Sequence, residues 1–206
     1  MAQNQQEIEV KFYLANLPAL AARLTALSAR LLQPRTHEIN LRFDTSDGQL
    51  LRQMRVLRLR QDNLAHLTYK GPGEVLQGAR LRQEIELVVS DFADARALLE
   101  ALGYQVVLMY EKYRTTYNYQ DSEISLDEMP YGNFAEIEAA DPANIRAVSE
   151  ALGLDWEARI LDSYTALFER LRQRRGYAFR DLSFENFAGL TVTAADLQVR
   201  PADTGS

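Results

Sequence analysis

Charged residues recur at two-residue spacing along this 206-residue chain, and they mix two kinds of group. Arginine and lysine grip oxyanions, while carboxylates hold hard divalent cations. The first set is Glu7, Glu9 and Lys11, interleaved with Ile8, Val10 and Phe12. Read with the period of a strand, the three charges point one way and the three apolar residues the other. The pattern returns downstream. Arg58 and Arg60 oppose Leu57 and Leu59, Lys70 ends the run Thr68-Tyr69-Lys70, and Arg82, Glu84 and Glu86 share a face. Lys112 and Arg114 oppose Tyr113, Asp127 opposes Ile124 and Leu126, and Glu136 and Glu138 again share a face.

An open sheet with one wet face would also be charged on that face. Such faces usually dilute their charges with Thr, Ser, Asn and Gln, whereas here acids and bases recur as alternating pairs in strand after strand. Closing the sheet into a barrel turns that face inward to line a channel. A channel of buried charges is expensive unless something charged occupies it. The fitting occupant is a polyanion with its metal ions, the bases on phosphate oxygens and the carboxylates on Mg²⁺ or Mn²⁺.

The elements that must position these groups follow from the intervening sequence. Asn16-Leu17-Pro18 opens a helix with Asn16 as cap, and Leu17, Leu20, Leu24, Leu27 and Leu31 form its apolar stripe. His37 to Asp44 alternates weakly, with Ile39, Leu41 and Phe43 against Glu38, Asn40 and Arg42, and Asp47-Gly48 marks a turn. Met54 to Gln61 and Ala65 to Lys70 read as a hairpin about Asp62-Asn63, and Gly71-Pro72-Gly73 breaks the second strand and opens a loop. Ser90 or Asp91 caps a helix that Gly103 stops. Pro130-Tyr131-Gly132-Asn133 is a turn, Asp141-Pro142 begins a third helix ending at Gly153, and a fourth runs from about Asp162 to Arg175. No clear period follows Tyr177, and Pro201 to Ser206 reads as a disordered tail. Hairpin-connected strands interleaved with helices predict an α+β fold with an antiparallel sheet. The expected division is a barrel domain over 1–175 and a C-terminal extension over 176–206.

Composition narrows the function. The chain has 29 acidic and 23 basic residues, a net charge of −6, which argues against a partner held by bulk positive charge, nucleic acid above all. It has no cysteine, so disulfides, thiolate metal sites and cysteine nucleophiles are excluded. There is no apolar run long enough to cross a bilayer and no basic, then apolar N-terminal leader, so the expectation is a soluble, cytoplasmic protein with no membrane partner. Oligomeric state, monomer or homodimer, is open. The two histidines, His37 and His66, carry no metal motif and read as structural, as do Trp156 and most tyrosines. Arg170, Arg172, Arg174 and Arg175 suit the C-terminal end of a helix dipole. Phe184 and Phe187 could cover the barrel or a partner surface.

Together these residues resemble the CYTH superfamily, the triphosphate tunnel metalloenzymes. The E-x-E-x-K strand is Glu7, Glu9 and Lys11; L-R-x-R gives Arg58 and Arg60; a strand lysine is Lys70; R-x-E-x-E gives Arg82, Glu84 and Glu86. K-x-R (Lys112, Arg114), Asp127 and a late E-x-E (Glu136, Glu138) complete the order. His37 to Asp44, Lys70-Gly71-Pro72-Gly73, Leu102-Gly103-Tyr104 and Ser163-Tyr164 look closer to the branch with class IV adenylate cyclases. The resemblance fades after about residue 171. It implies an eight-stranded antiparallel β-barrel holding a triphosphate group, with Mg²⁺ or Mn²⁺ as cofactor. It implies that Arg58, Arg60, Lys70, Arg82, Lys112 and Arg114 bind phosphates, with Lys11 assisting. Glu7, Glu9, Asp127, Glu136 and Glu138 would form the metal-binding set, and Lys11, Glu84, Glu86 and Asp127 form the candidate catalytic set. Hydrolysis of inorganic triphosphate or a triphosphate-bearing compound is the reading favoured, because no residue can be assigned to a base. Cyclisation of ATP to cyclic AMP and pyrophosphate is the alternative, and a non-catalytic polyphosphate or nucleotide sensor the third.

Overall fold

The computed structural model describes residues 6–204. Eight antiparallel strands close into a ring: β1 (Gln6–Leu14), β2 (Arg30–Thr45), β3 (Val56–Gln61), β4 (Ala65–Leu76), β5 (Ala79–Val89), β6 (Tyr104–Tyr119), β7 (Ser122–Met129) and β8 (Gly132–Glu138). Neighbours run β1-β5-β4-β3-β2-β6-β7-β8 and back to β1, so both edges of the sheet are paired and no edge is left among these eight. A two-residue strand, β9 (Arg159–Ile160), adds to β1 near its end. The helices are α1 (Leu17–Ala26), α2 (Gln49–Arg52), α3 (Phe92–Ala101), α4 (Pro142–Ala151), α5 (Tyr164–Arg175) and α6 (Ala194–Leu197).

Alternation decides which face is which. The apolar parity of β1, β7 and β8 (Val10, Phe12, Ile124, Leu126, Ile137) packs outward with Leu20 and Leu24 of α1 and Ile145 and Val148 of α4. A smaller cluster, Leu41, Phe43, Leu59 and Leu99, seats α3 on the opposite wall. With the apolar faces buried on the outside, the charged parity is left to fill the interior of the ring. Three caps fall where the sequence places them: Asn16 accepts from Ala19 N–H, Asp91 from Asp94, and Asp141 from Ala143 and Asn144; Ser163, accepting from Ala166, caps α5 as well.

Three expectations change. Leu31 belongs to β2, half-exposed, and not to the stripe of α1, because Ser28 turns the chain out of the helix at φ 57°. Gly71-Pro72-Gly73 does not end its strand. β4 runs on to Leu76, and the register shift between Lys70 and Gly73 is a bulge that leaves the proline, which has no N–H, out of the ladder. Pro201 to Asp203 are packed and ordered: Ala202 N–H donates to the Tyr13 carbonyl (2.9 Å), and Asp203 accepts from Ala15 and Asn16 N–H (2.8 and 2.7 Å). Gly205 and Ser206 of that expected tail lie outside the described residues. Residues 182–197 close over α5, where Leu182, Phe187 and Leu197 bury with Phe168 and Leu171.

Candidate functional site

The interior of the ring is a cavity of about 420 Å³ walled by Glu7, Glu9, Lys11, Arg58, Arg60, Lys70, Arg82, Glu84, Glu86, Lys112, Arg114, Glu136 and Glu138. Cross-strand register explains the convergence. Lys11 lies opposite Glu136, Glu9 opposite Glu138, Glu7 opposite Arg82, and Lys70 opposite Glu84. The N-terminal turn of α5, Ser163, Tyr164 and Thr165, enters one end of this tunnel, while the exposed Glu123 and Glu138 stand at the other.

Most of the bases are neutralised locally. Lys11 holds Glu9 (2.8 Å) and Glu136 (2.9 Å); Lys70 holds Glu7 (2.7 Å) and Glu84 (2.8 Å). Arg58 reaches Glu86 at 3.5 Å, and Arg60 reaches Asp62 at 3.2 Å and Glu86 at 3.3 Å. Burial opposes the charge on Lys11, but Glu136 and Glu9 outweigh it and hold the ammonium well above its ordinary pKa, so Lys11 acts as a fixed cation and not as a base. Glu136 is the mirror case: burial would raise it, yet Lys11, Arg114 and Lys112 keep its carboxyl well below the usual range.

Asp127 stands apart from its expected role. It is fully buried behind the wall and does not line the cavity. Its oxygens accept from Lys112 Nζ (3.0 Å), Arg114 Nε (2.7 Å) and the Tyr164 hydroxyl (2.8 Å). That set engages both carboxylate oxygens, so Asp127 holds two bases and a tyrosine in place. Tyr164 in turn has both Lys11 Nζ and Lys112 Nζ 5.4 Å from its ring centre. This is more than a packing role for a residue the sequence suggests as core.

The mouth has the opposite imbalance. Glu7, Glu123 and Glu84 crowd Glu138, against which Lys70, paired with Glu7 and Glu84, supplies the positive charge. Crowding by protein first, then Glu7 and Glu123, raises the Glu138 carboxyl above the usual range; solvent access at the rim softens this without reversing it. Burial raises Glu7 as well, with Lys70 pulling it back and Glu84 adding to the rise. Among the described residues no three such groups converge tightly enough to ligate an ion as they stand. The donors there are carboxylate oxygens, the kind of ligand that Mg²⁺ and Mn²⁺ take.

Several residues of the interior were not singled out from sequence. Glu38, beside Lys112 at 3.6 Å, is held down to about 2 because Lys112, Arg114, Arg60 and Arg58 outweigh its burial. Arg42, Tyr110, Glu123, Ser125 and Thr165 line the cavity. Glu38 and Arg42 carry the same two-residue alternation as the motif strands; the signal was there, but weak. Tyr110 and Thr165 had none.

The pattern of the CYTH domain matches residues 5–152. The chain belongs to the CYTH domain family. Among curated relatives, the Aeromonas hydrophila adenylate cyclase CyaB is 25% identical over 183 residues, covering 87% of this chain and 90% of that protein. A Methanocaldococcus jannaschii protein named "putative adenylate cyclase" is 28% identical over 134 residues, covering 64% of this chain and 75% of the relative. Among solved structures, a "putative adenylate cyclase" from Vibrio parahaemolyticus superimposes with a TM-score of 0.72 at 22% identity, over 81% of this chain and 99% of that one. A Hippeastrum protein described as having a dominant triphosphatase activity gives 0.59 at 20% identity, over 79% and 95%. These likenesses establish the CYTH fold of the ring.

Proposed function

We propose that this CYTH protein is a divalent-metal-dependent phosphohydrolase that cleaves inorganic triphosphate, or an organic compound bearing a triphosphate, inside the tunnel. The observation that carries this reading is the make-up of the wall. Nearly every lining residue is charged or hydrogen-bonding, and the aromatic rings present are already engaged: Tyr164 faces two ammonium groups, and the Tyr110 hydroxyl faces Arg58 at 3.5 Å. Such a wall suits phosphate groups better than it suits a nucleobase.

In this reading Arg58, Arg60, Lys70, Lys112 and Arg114 exchange their carboxylate partners for phosphate oxygens, a swap of like for like that spares each buried cation an unpaired state, and Arg82, held by the Gly71 carbonyl, adds a further donor. Lys11 stays charged throughout and balances charge that develops on the transferred phosphoryl group. Glu7, Glu9, Glu136 and Glu138 would hold Mg²⁺ or Mn²⁺, which supplies charge neutralisation on the phosphate oxygens and a more acidic water. Glu84 and Glu86 orient Lys70, Arg58 and Arg60. Asp127 keeps Lys112 and Arg114 aimed inward.

Cyclisation of ATP is the second reading, favoured by the adenylate cyclase names of two relatives. One assay separates the two. Purified protein is incubated with inorganic triphosphate and, separately, with ATP, each with Mg²⁺ or Mn²⁺. Orthophosphate from triphosphate supports the hydrolase. Cyclic AMP with pyrophosphate from ATP replaces it by the cyclase, and tight binding without products leaves a sensor.

A further inference from the structure

Residues 177–203 lie wholly outside the stretch 5–152 that the CYTH pattern matches, yet they are fastened to the ring at both ends. At one end they take a strand's place. The β6–β7 ladder stops at Tyr113, and beyond it Leu182 N–H donates to the Met109 carbonyl (2.9 Å) while Glu111 N–H donates to the Leu182 carbonyl (3.1 Å). Asp181 accepts from Met109 N–H (3.0 Å), and Glu111 accepts from Phe184 N–H (2.7 Å). At the other end Ala202 and Asp203 hold the last residues of β1 and the turn that follows. Between the two anchors Phe187 is buried, its ring 6.0 Å from that of Phe168 on α5 and 6.2 Å from that of Tyr131 in the β7–β8 turn.

Tyr131 carries the connection inward. Its buried hydroxyl donates to the carbonyl of Tyr164 (2.9 Å). Burial first, then the negative charge of Asp127, holds this phenol well above its ordinary pKa, so it stays a donor. Tyr164 is the first residue of α5, in the one turn of that helix that lines the cavity. An α-helix already offers such a carbonyl an N–H four residues on, so the phenol's bond adds location more than satisfaction. Phe134 packs edge-on against both tyrosine rings, 5.6 Å from Tyr131 and 5.1 Å from Tyr164. From Tyr164 one further hydrogen bond reaches Asp127, which holds Lys112 and Arg114. Phe187, Tyr131, Tyr164 and Asp127 thus form a continuous run of contacts from the C-terminal segment to the wall of the tunnel.

Resting on the triphosphate reading, we propose that Tyr131 and Phe187 are positioning residues, through which the C-terminal segment fixes the first turn of α5 in the tunnel. Neither lines the cavity, so neither touches the substrate. Their influence passes through the bond from Tyr164 to Asp127. Apolar packing alone would not set that bond. Burial of Leu167, Phe168 and Leu171 is non-directional and survives a slide of α5 by a fraction of an ångström. A hydrogen bond of 2.8 Å weakens steeply with the same slide. The segment therefore acts on the geometry of the wall as well as on the stability of the fold.

The test is calorimetric titration with inorganic triphosphate, at fixed Mg²⁺, on wild type, Tyr131→Phe, Phe187→Ala and Phe187→Leu, each also in a Tyr164→Phe background. Tyr131→Phe, Phe187→Ala and Tyr164→Phe are each expected to weaken binding by about five- to tenfold, the worth of one hydrogen bond. Phe187→Leu, which refills most of the space, recovers most of the loss. In the Tyr164→Phe background the other substitutions are expected to change affinity by less than about twofold, because the bond they act through is already gone. Leu99→Ala, in the cluster on the opposite wall, serves as a control that lowers the melting temperature with affinity unchanged. The positioning role is overturned, and the proposed function left standing, if wild type binds triphosphate while the variants bind like it, lose affinity equally in both backgrounds, or lose no more than Leu99→Ala. Wild type that binds no triphosphate overturns both. Should Phe187→Ala fail to fold, Tyr131→Phe, which removes a single oxygen, decides the matter alone.

Discussion

The Tyr164 hydroxyl donates to Asp127 across 2.8 Å, tying the first turn of α5 to the buried end of β7. Asp127 has no contact with the cavity, yet it neutralises two cations that do. Removing this carboxylate leaves Lys112 and Arg114 buried with weaker partners. Asp127→Asn is therefore expected to lower stability by about 3–5 kcal/mol, the usual cost of breaking a buried pair. Tyr164→Phe, which removes one hydrogen bond, is expected to lose only about 1 kcal/mol. Denaturant unfolding measures both. Titration with Mn²⁺ checks the positioning role, because Asp127→Asn should bind the ion like wild type; a large loss of affinity would return Asp127 to the metal ligands.

Arg58 gives a contrasting case. Burial opposes its charge, but Tyr110, Glu84 and Glu86 outweigh that and hold the guanidinium above its ordinary pKa. Its partner Glu86 is a third exposed and 3.5 Å away, so the pair is loose and ready to exchange. Arg58→Ala is expected to weaken triphosphate binding by about tenfold to a hundredfold while the fold survives, and to make the affinity less sensitive to added salt. Calorimetry at two ionic strengths reads both effects, and an unaltered salt dependence would show that Arg58 does not touch the anion.

Much of this tunnel was legible in the sequence because strand alternation is local: Glu7, Glu9 and Lys11 need only their apolar neighbours to declare a face. The closure of the ring follows from the same pattern, since buried charge on one face of every strand has no other economical place. What escaped depends on contacts distant along the chain. Arg42 is recognisable only when β2 meets residues 161–165, and the burial of Asp127 only when Tyr164 arrives from a helix 37 positions away. Leu31 fitted a helical stripe by spacing alone, and the spacing could not register the turn at Ser28. Pro201 to Asp203 resembled a tail because Pro, Asp, Thr and Gly carry no period, whereas their order comes from hydrogen bonds to β1 and its following turn.

The mouth predicts a pH effect of definite sign. An acid whose pKa is raised in the folded state keeps its proton more tightly there, so stability falls as pH climbs from the ordinary carboxylate value toward the raised one. Glu138 is such a group. In metal-free protein the melting temperature of wild type should drop relative to Glu138→Gln as pH rises from 5 to about 8, and Mg²⁺ at the upper end should restore wild type more than the variant. Glu38, held down to about 2, acts with the reverse sign: its stabilisation is present above about 4.5 and is lost as pH falls toward 2. A constant gap between wild type and Glu138→Gln across the range would remove the carboxylate crowding from the account.

Glu136 bears on turnover itself. It lines the cavity between Lys11 and Arg114, and both pair with it. Glu136→Ala and Glu138→Ala are expected to abolish metal-dependent turnover, and full activity of both variants with Mg²⁺ and with Mn²⁺ would discard the metal assignment. The two should differ in stability, since Glu136→Ala takes one of two carboxylate partners from each of two buried cations and Glu138→Ala relieves a crowd of like charges.

The last prediction concerns the C-terminal segment. Asp203 accepts two backbone N–H groups, from Ala15 and Asn16, at the turn where β1 hands over to α1. Asn16 is itself the cap of α1, so one carboxylate sets the entry angle of the helix that covers the outer face of β1. Ala202 beside it is fully buried and adds a hydrogen bond to Tyr13. Asp203→Ala leaves two donors to find water in an exposed turn, which is expected to lower stability by about 1–2 kcal/mol. For a chain of this size that corresponds to a fall of roughly 2–8 °C in melting temperature. Because β1 also carries Glu7, Glu9 and Lys11, the same variant should loosen Mn²⁺ binding slightly as the strand end frays. A melting temperature equal to wild type would mean that residues 201–203 lie on the barrel without supporting it.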